Sequence, residues 1–115
     1  MQIRDRKKLF IIYLLSLFLC NLDLAAEEFN ITANEILIDK ENKIIIGKGS
    51  VQAVDSEGKL IIADKITYEQ SREYLLAEGN VKIADIEGNI LKTDKSSYDK
   101  INEIIFTYGN TELIL

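Results

Sequence analysis

The chain contains no histidine, no tryptophan and no proline, and its 115 residues include one cysteine. Each absence removes a class of chemistry. Without histidine, and with Cys20 inside an apolar N-terminal run, the familiar metal-ligand sets and nucleophile–base pairs cannot be assembled. No metal and no cofactor is expected, and no disulfide holds residues 27–115. Positive charge is also scarce: 14 basic against 19 acidic residues give a net charge of −5. Arg4, Arg6, Lys7 and Lys8 are concentrated at the start, so removing residues 1–26 leaves 10 basic against 17 acidic, a net −7. Nucleic acid is therefore excluded as a partner, because phosphate binding needs clustered cations.

What is present begins with a leader. The four early cations precede LFIIYLLSLFLC, and Ala25-Ala26 precede the acidic onset Glu27-Glu28. A basic start, a short apolar middle and small residues before an acidic segment form the layout of a secretory signal. Residues 1–26 are read as a signal peptide and 27–115 as one domain, exported to the periplasm. The alternative is an inner-membrane anchor over residues 9–24, which would bury Asn21 and Asp23. Bulky Leu19 disfavours lipidation at Cys20.

The remainder repeats every thirty residues without a gap. Ala33-Asn34 recurs as Ala63-Asp64 and Thr93-Asp94, and Ile38-Asp39 as Tyr68-Glu69 and Tyr98-Asp99. Gly49-Ser50-Val51 recurs as Gly79-Asn80-Val81 and Gly109-Asn110-Thr111. Apolar residues at spacing two, rich in Ile, Val and Tyr, predict strands over 30–39, 43–54, 59–69, 73–84, 89–99 and 103–114. Short Asp- and Asn-bearing links join them, with Gly58 and Gly88 supplying positive φ. Gly49, Gly79 and Gly109 are read as backbone devices as well. A phase change in the apolar alternation predicts bulges near 34–35, 64–65 and 94–95. At 44–46, 74–76 and 104–106 both parities are apolar, so those stretches are either covered on both sides or form an exposed stripe.

The phrases ITANEILIDKENKIIIGKGSV, LIIADKITYEQSREYLLAEGNVKIADIEGN and ILKTDKSSYDKINEIIFTYGN resemble the OstA-like repeat of the lipopolysaccharide-transport proteins. That family comprises a soluble periplasmic bridge, its inner-membrane-anchored partner and the N-terminal domain of an outer-membrane assembly protein. The resemblance runs from about Phe29 to Leu115 and implies an all-β jellyroll, a folded-over two-sheet trough. It implies no enzyme. It implies lipopolysaccharide as ligand, held by its lipid A acyl chains, and other jellyroll proteins as partners through edge-strand addition. The lining residues expected on that basis are Phe29, Ile31, Ile45, Val51, Ile61, Leu75, Val81, Ile83, Leu91 and Ile105. Phe29 and Ile31, at the first edge, are the foremost of them. The same residues would serve as core in any small β-sandwich. The alternatives are a strand-adding structural adaptor without lipid and a leading fragment of the assembly protein. A glycosidase relying on Glu57, Asp85 and Glu87 is disfavoured, since these acids fall in turns.

Overall fold

The computed structural model describes residues 29–115, so the proposed leader and Cys20 lie outside the described residues. The described chain is all β: β1 (Asn30–Thr32), β2 (Glu35–Asp39), β3 (Ile44–Val54), β4 (Leu60–Glu69), β5 (Tyr74–Ala84), β6 (Ile90–Asp99), β7 (Ile104–Tyr108) and β8 (Glu112–Ile114). All pairings are antiparallel, in one sheet ordered β1-β3-β4-β5-β6-β7. β2 lies on the first part of β3 and β1 on its end, while β8 and β7 divide β6 in the same way. Six strands are expected and eight are found, because the two outermost are interrupted at 33–34 and 109–111.

Those interruptions fall on one line that crosses every strand. On it Lys48 pairs with Lys65 and Val51 with Ala63, so Gly49 and Ser50 together face Asp64. Gly79 and Asn80 face Asp94 in the same way. The expected irregularity is at this level of the sheet, but the extra residue is not at 64–65 or 94–95. It belongs to the partner strands. The reason is steric: Gly49 and Ser50 have φ of 79° and 46°, and Gly79 and Asn80 have 83° and 47°. Two successive left-handed residues require glycine followed by a short polar side chain. Asp64 lies tight against Gly79, where an added Cβ would come within 2.5 Å of its Oδ2, and it accepts a hydrogen bond from Asn80 Nδ2 at 3.0 Å. The recurring Ala-Asp and Gly-Asn-Val phrases are thus the two sides of one crease.

Along the crease the sheet folds over. Leu60 pairs with Ala84 at one end of the strands, and Glu69 pairs with Tyr74, and Tyr74 with Asp99, at the other. Ten residues of strand span about 33 Å. Yet Lys59 Nζ, next to Leu60, donates to the Tyr98 hydroxyl at 3.0 Å, and the Phe29 ring lies 5.2 Å from Tyr68 and 6.0 Å from Tyr98. Only a sheet doubled back on itself brings those ends together. The first layer holds residues 30–32, 51–54, 60–63, 81–84, 90–93 and 112–114; the second holds 35–39, 44–48, 65–69, 74–78, 95–99 and 104–108. Phe29 and Val51, Ala53, Ile61, Ala63, Val81 and Ile83 from the first layer pack against Ile66, Tyr68, Leu75, Ala77 and Tyr98 from the second. Each large aliphatic side chain so buried contributes about 1.5–3 kcal/mol before entropy is counted.

The layers are skewed. Phe29, beside β1, sits under β4 and β6 rather than under its own neighbour β2. Part of each layer's inner face is therefore left uncovered, at opposite ends.

Turn chemistry closes the hairpins. Asn42 donates its backbone N–H and its side-chain amide to Asp39 at 3.2 and 2.9 Å, and Asn102 does the same to Asp99 at 3.2 and 2.8 Å. These bonds, the side-chain amide foremost, hold both carboxyls below their ordinary pKa. Asp85 is lowered likewise, chiefly by the amide of Asn89.

Candidate functional site

At the C-terminal end the uncovered inner face belongs to the first layer. Ile83, Leu91 and Leu113 face Ile105 across a mouth of about 220 Å³, with Lys59, Asp85 and Asn89 on its rim. The sequence pattern places these residues there. Ile83, Leu91 and Leu113 share the inward parity of β5, β6 and β8, in register across Ile83–Leu91–Leu113. Within the second layer Ile105 pairs with Tyr98 and Tyr98 with Leu75, and both of these are buried.

At the N-terminal end the uncovered face belongs to the second layer. Ile36 and Ile38 of β2 point inward by register with Gly47 and Ile45, yet Ile38 is 60 % exposed. Among the described residues β2 has no strand beyond it, and beyond Ile105 neither have β7 and β8. Among the described residues the sheet therefore ends at both sides in an open strand with an apolar shelf beside it. Unpaired edges of this kind invite strand addition.

The sequence-derived lining residues divide accordingly. Val51, Ile61, Leu75, Val81 and Ile83 are buried in the core, and Ile31, Ile45 and Leu91 are half-buried. Ile105 is exposed. Phe29, expected at an open edge, is only 8 % exposed, because the skew of the layers carries it beneath Tyr68 and Tyr98. Lys100 Nζ lies 5.2 Å over its ring. Three residues of this surface fall outside the lining set read from sequence: Ile36, Ile38 and Leu113. The signal for all three is their inward parity, which their position at the sheet edges converts from core to exposed shelf.

Gly58 and Gly88 occupy their turns with φ of 85° and 92°, and Gly109 continues the crease with φ of 88°. The turns they serve differ in one respect. Asp85 Oδ2 accepts from the Asn89 amide at 2.9 Å, whereas the equivalent Asp55 Oδ2 is buried without a hydrogen-bond partner among the described residues. Asp55 Oδ1 accepts the N–H groups of Glu57 and Lys59. The residue at the Asn89 position is here Lys59, whose ammonium goes to the Tyr98 hydroxyl and lies 4.3 Å over that ring. Glu57, Asp85 and Glu87 are turn residues, with Asp85 engaged in holding its own backbone. Among the described residues no cluster of three or more His, Cys, Asp or Glu side chains is placed to hold a metal ion.

No protein-family model and no curated protein sequence matches the chain. Among solved structures it is similar to the crystal structure of LptH, the LptA-homologous periplasmic component of the lipopolysaccharide transport device of Pseudomonas aeruginosa. Identity is 12 %, the match covers 77 % of this chain and 95 % of that one, and the TM-score is 0.49.

Proposed function

We propose that the chain is a periplasmic lipopolysaccharide-transport module that shields lipid A acyl chains in its trough and joins neighbouring jellyroll domains edge to edge. The OstA-like repeat motivates this reading. The observation that carries it is the pairing, at each end of the sheet, of an unpaired strand with an uncovered apolar shelf. When β2 of one domain adds to β7 of another, Ile36 and Ile38 fall in line with Ile105. Leu91 and Leu113 supply the opposite wall. A continuous apolar track results, and each methylene it removes from water contributes about 0.8 kcal/mol. Of the sequence-derived lining residues, Leu91 and Ile105 become the principal lipid contacts, with Ile31 and Ile45 at the other end. Val51, Ile61, Leu75 and Val81 serve as the floor. The expected leader delivers the chain to the periplasm.

A photocrosslinking amino acid at Leu91 or Ile105 should capture lipopolysaccharide in cells, whereas one at Gln52 or Lys82, on the outer face, should not. Equal labelling at all four positions would overturn the proposal.

A specific observation favours a second reading. The mouth, at about 220 Å³, lies below the roughly 300–1,000 Å³ usual for ligand pockets. A single domain of this size suits a structural adaptor that joins jellyroll proteins and holds lipid only in the assembled array. Native mass spectrometry separates the two, because an adaptor purified alone carries no lipid mass.

A further inference from the structure

The outer face of the second layer carries a feature that neither the trough nor the edges use. Leu37, Ile46, Thr67, Leu76, Ser97 and Phe106 are in register across β2 to β7, on the parity opposite to the buried Ile66, Tyr68 and Leu75. Leu37 is 61 % and Phe106 60 % exposed, and Ile46, Thr67 and Leu76 are half-exposed, while Ser97 between Leu76 and Phe106 is buried. The doubly apolar stretches 44–46, 74–76 and 104–106 meet here as one band, exposed except at Ser97. Four large apolar side chains in one row, broken only by Thr67 and Ser97, usually mark a contact surface.

The flanks indicate which partner. On the turn side the parallel row reads Asp39, Ile44, Glu69, Tyr74, Asp99 and Ile104. On the crease side it reads Glu35, Lys48, Lys65, Glu78, Lys95 and Tyr108. One flank is acidic and the other is led by three lysines, with the apolar row midway between them.

We propose that this face is a self-association surface, on which a second copy of the chain stacks outer face to outer face about a two-fold axis running along the Leu37–Phe106 row. That axis places each apolar residue over its own counterpart and exchanges the two flanks. Lys65 then faces Glu69 and Lys95 faces Asp99, each pair occurring twice, and Ile104 faces Tyr108. An axis parallel to the strands would instead lay the acidic row on its own copy. Both carboxylates keep their local partners, Glu69 with Arg72 at 2.9 Å and Asp99 with Asn102, so the two cross-copy pairs supply charge complementarity in addition to those bonds. One pair opposes the arrangement: Asp39 faces Glu35, on the outermost strand, where both side chains can turn into water. With strands about 4.8 Å apart and about 3.4 Å per residue, the footprint is roughly 24 by 14 Å. That is small for a permanent interface, so the dimer is weak and concentration-dependent. The contact is isologous and closes at two copies, unlike edge addition, which is head-to-tail and open-ended.

The test is a single-cysteine crosslink in the full chain with Cys20→Ser. Leu76→Cys lies on the axis, so a short bis-maleimide should give a covalent dimer whose yield rises with protein concentration. Gln52→Cys, on the outer face of the other layer, should give none. Thr67→Cys, on the same row, stands in should Leu76→Cys fail to fold. Adding Lys65→Glu and Lys95→Glu should cut the yield about tenfold at low salt, by setting like charges face to face. Equal yields at positions 76 and 52 would overturn the proposal. So would large assemblies that leave positions 76 and 67 unlinked, since chains joined by their edges keep the two central β5 strands apart.

Discussion

The two ends of the folded sheet are built from the same thirty-residue phrase and fill their interiors differently. Position 29 and its equivalents make this plain. Phe29 sets its ring against Tyr68 and Tyr98 and fills the space between the layers at the N-terminal end, beside the exposed shelf of Ile36 and Ile38. One repeat later Lys59 makes the corresponding contact with Tyr98, now as an ammonium over a ring and onto a hydroxyl. One repeat further Asn89 leaves the interior and caps Asp85. The rest of the interior changes along the same gradient. Ala63 becomes Thr93, Ile66 becomes Ser96, Ala77 becomes Thr107 and Val81 becomes Thr111. Three of these hydroxyls are satisfied within the fold: Thr93 Oγ1 lies 3.1 Å from Thr111 Oγ1, and Ser96 Oγ donates to the Phe106 carbonyl at 2.8 Å. A repeat can thus keep its backbone and turns while its interior changes from sealed and apolar to open and partly polar. In the proposed array the N-terminal end presents the Ile36–Ile38 shelf and the open C-terminal mouth of the neighbouring domain receives it.

The largest test of that difference compares the two ends directly. Phe29→Ala should cost about 3 kcal/mol in denaturant unfolding, because it empties a sealed aromatic site. Ile105→Ala, at the open mouth, should cost less than about 1 kcal/mol, since its side chain is already partly in water. Equal losses would erase the distinction between a filled and an open interior.

How much of this was legible in the sequence depends on the range of the interaction. Strand positions, inward parity and the turns at 55–58 and 85–88 come from residues a few places apart, and the period of thirty makes each reading threefold. The crease was legible as a phase change, but not which strand carries the extra residue. That depends on Gly49-Ser50 and Gly79-Asn80 taking a left-handed pair, whereas parity flags the strand facing them. The burial of Phe29 was not legible at all. It rests on a skew between layers that brings residue 29 to residue 98, and nothing near residue 29 encodes that distance. The doubly apolar stretches pointed to a second surface, and only the register of six strands shows that they form one band.

The crease supplies the next test. Gly79 is flanked by paired strands on both sides and crowded by Asp64, so Gly79→Ala should destabilise by about 2 kcal/mol. Gly109 has the same left-handed backbone and is crowded by Asp94 in the same way, but lies where the last strand is interrupted, with no strand beyond it among the described residues. Gly109→Ala should cost about 1 kcal/mol, because that segment can shift to relieve the strain. Denaturant midpoints at unchanged slope would measure both, and a reversed order would mean that the last repeat is held as firmly as the middle one.

The smallest effect concerns a feature the two ends share. Asp39 beside the first edge and Asp99 beside the last are both held below the ordinary carboxylate value of 3.8, chiefly by the side-chain amides of Asn42 and Asn102. A carboxylate whose folded-state pKa is depressed stabilises the fold fully above its ordinary value. That contribution fades as pH falls through the lowered value, where both states bind the proton. Stability should therefore decline on acidification through about pH 4 and below, and Asp39→Asn or Asp99→Asn should each flatten that decline. The two variants differ in salt dependence. Asp99 also feels the charge of Arg72, a lesser cause that Asp39 lacks, so added salt should shrink the effect of Asp99→Asn more than that of Asp39→Asn. Identical salt responses would mean that local amide bonds govern both turns and that Arg72 serves Glu69 alone.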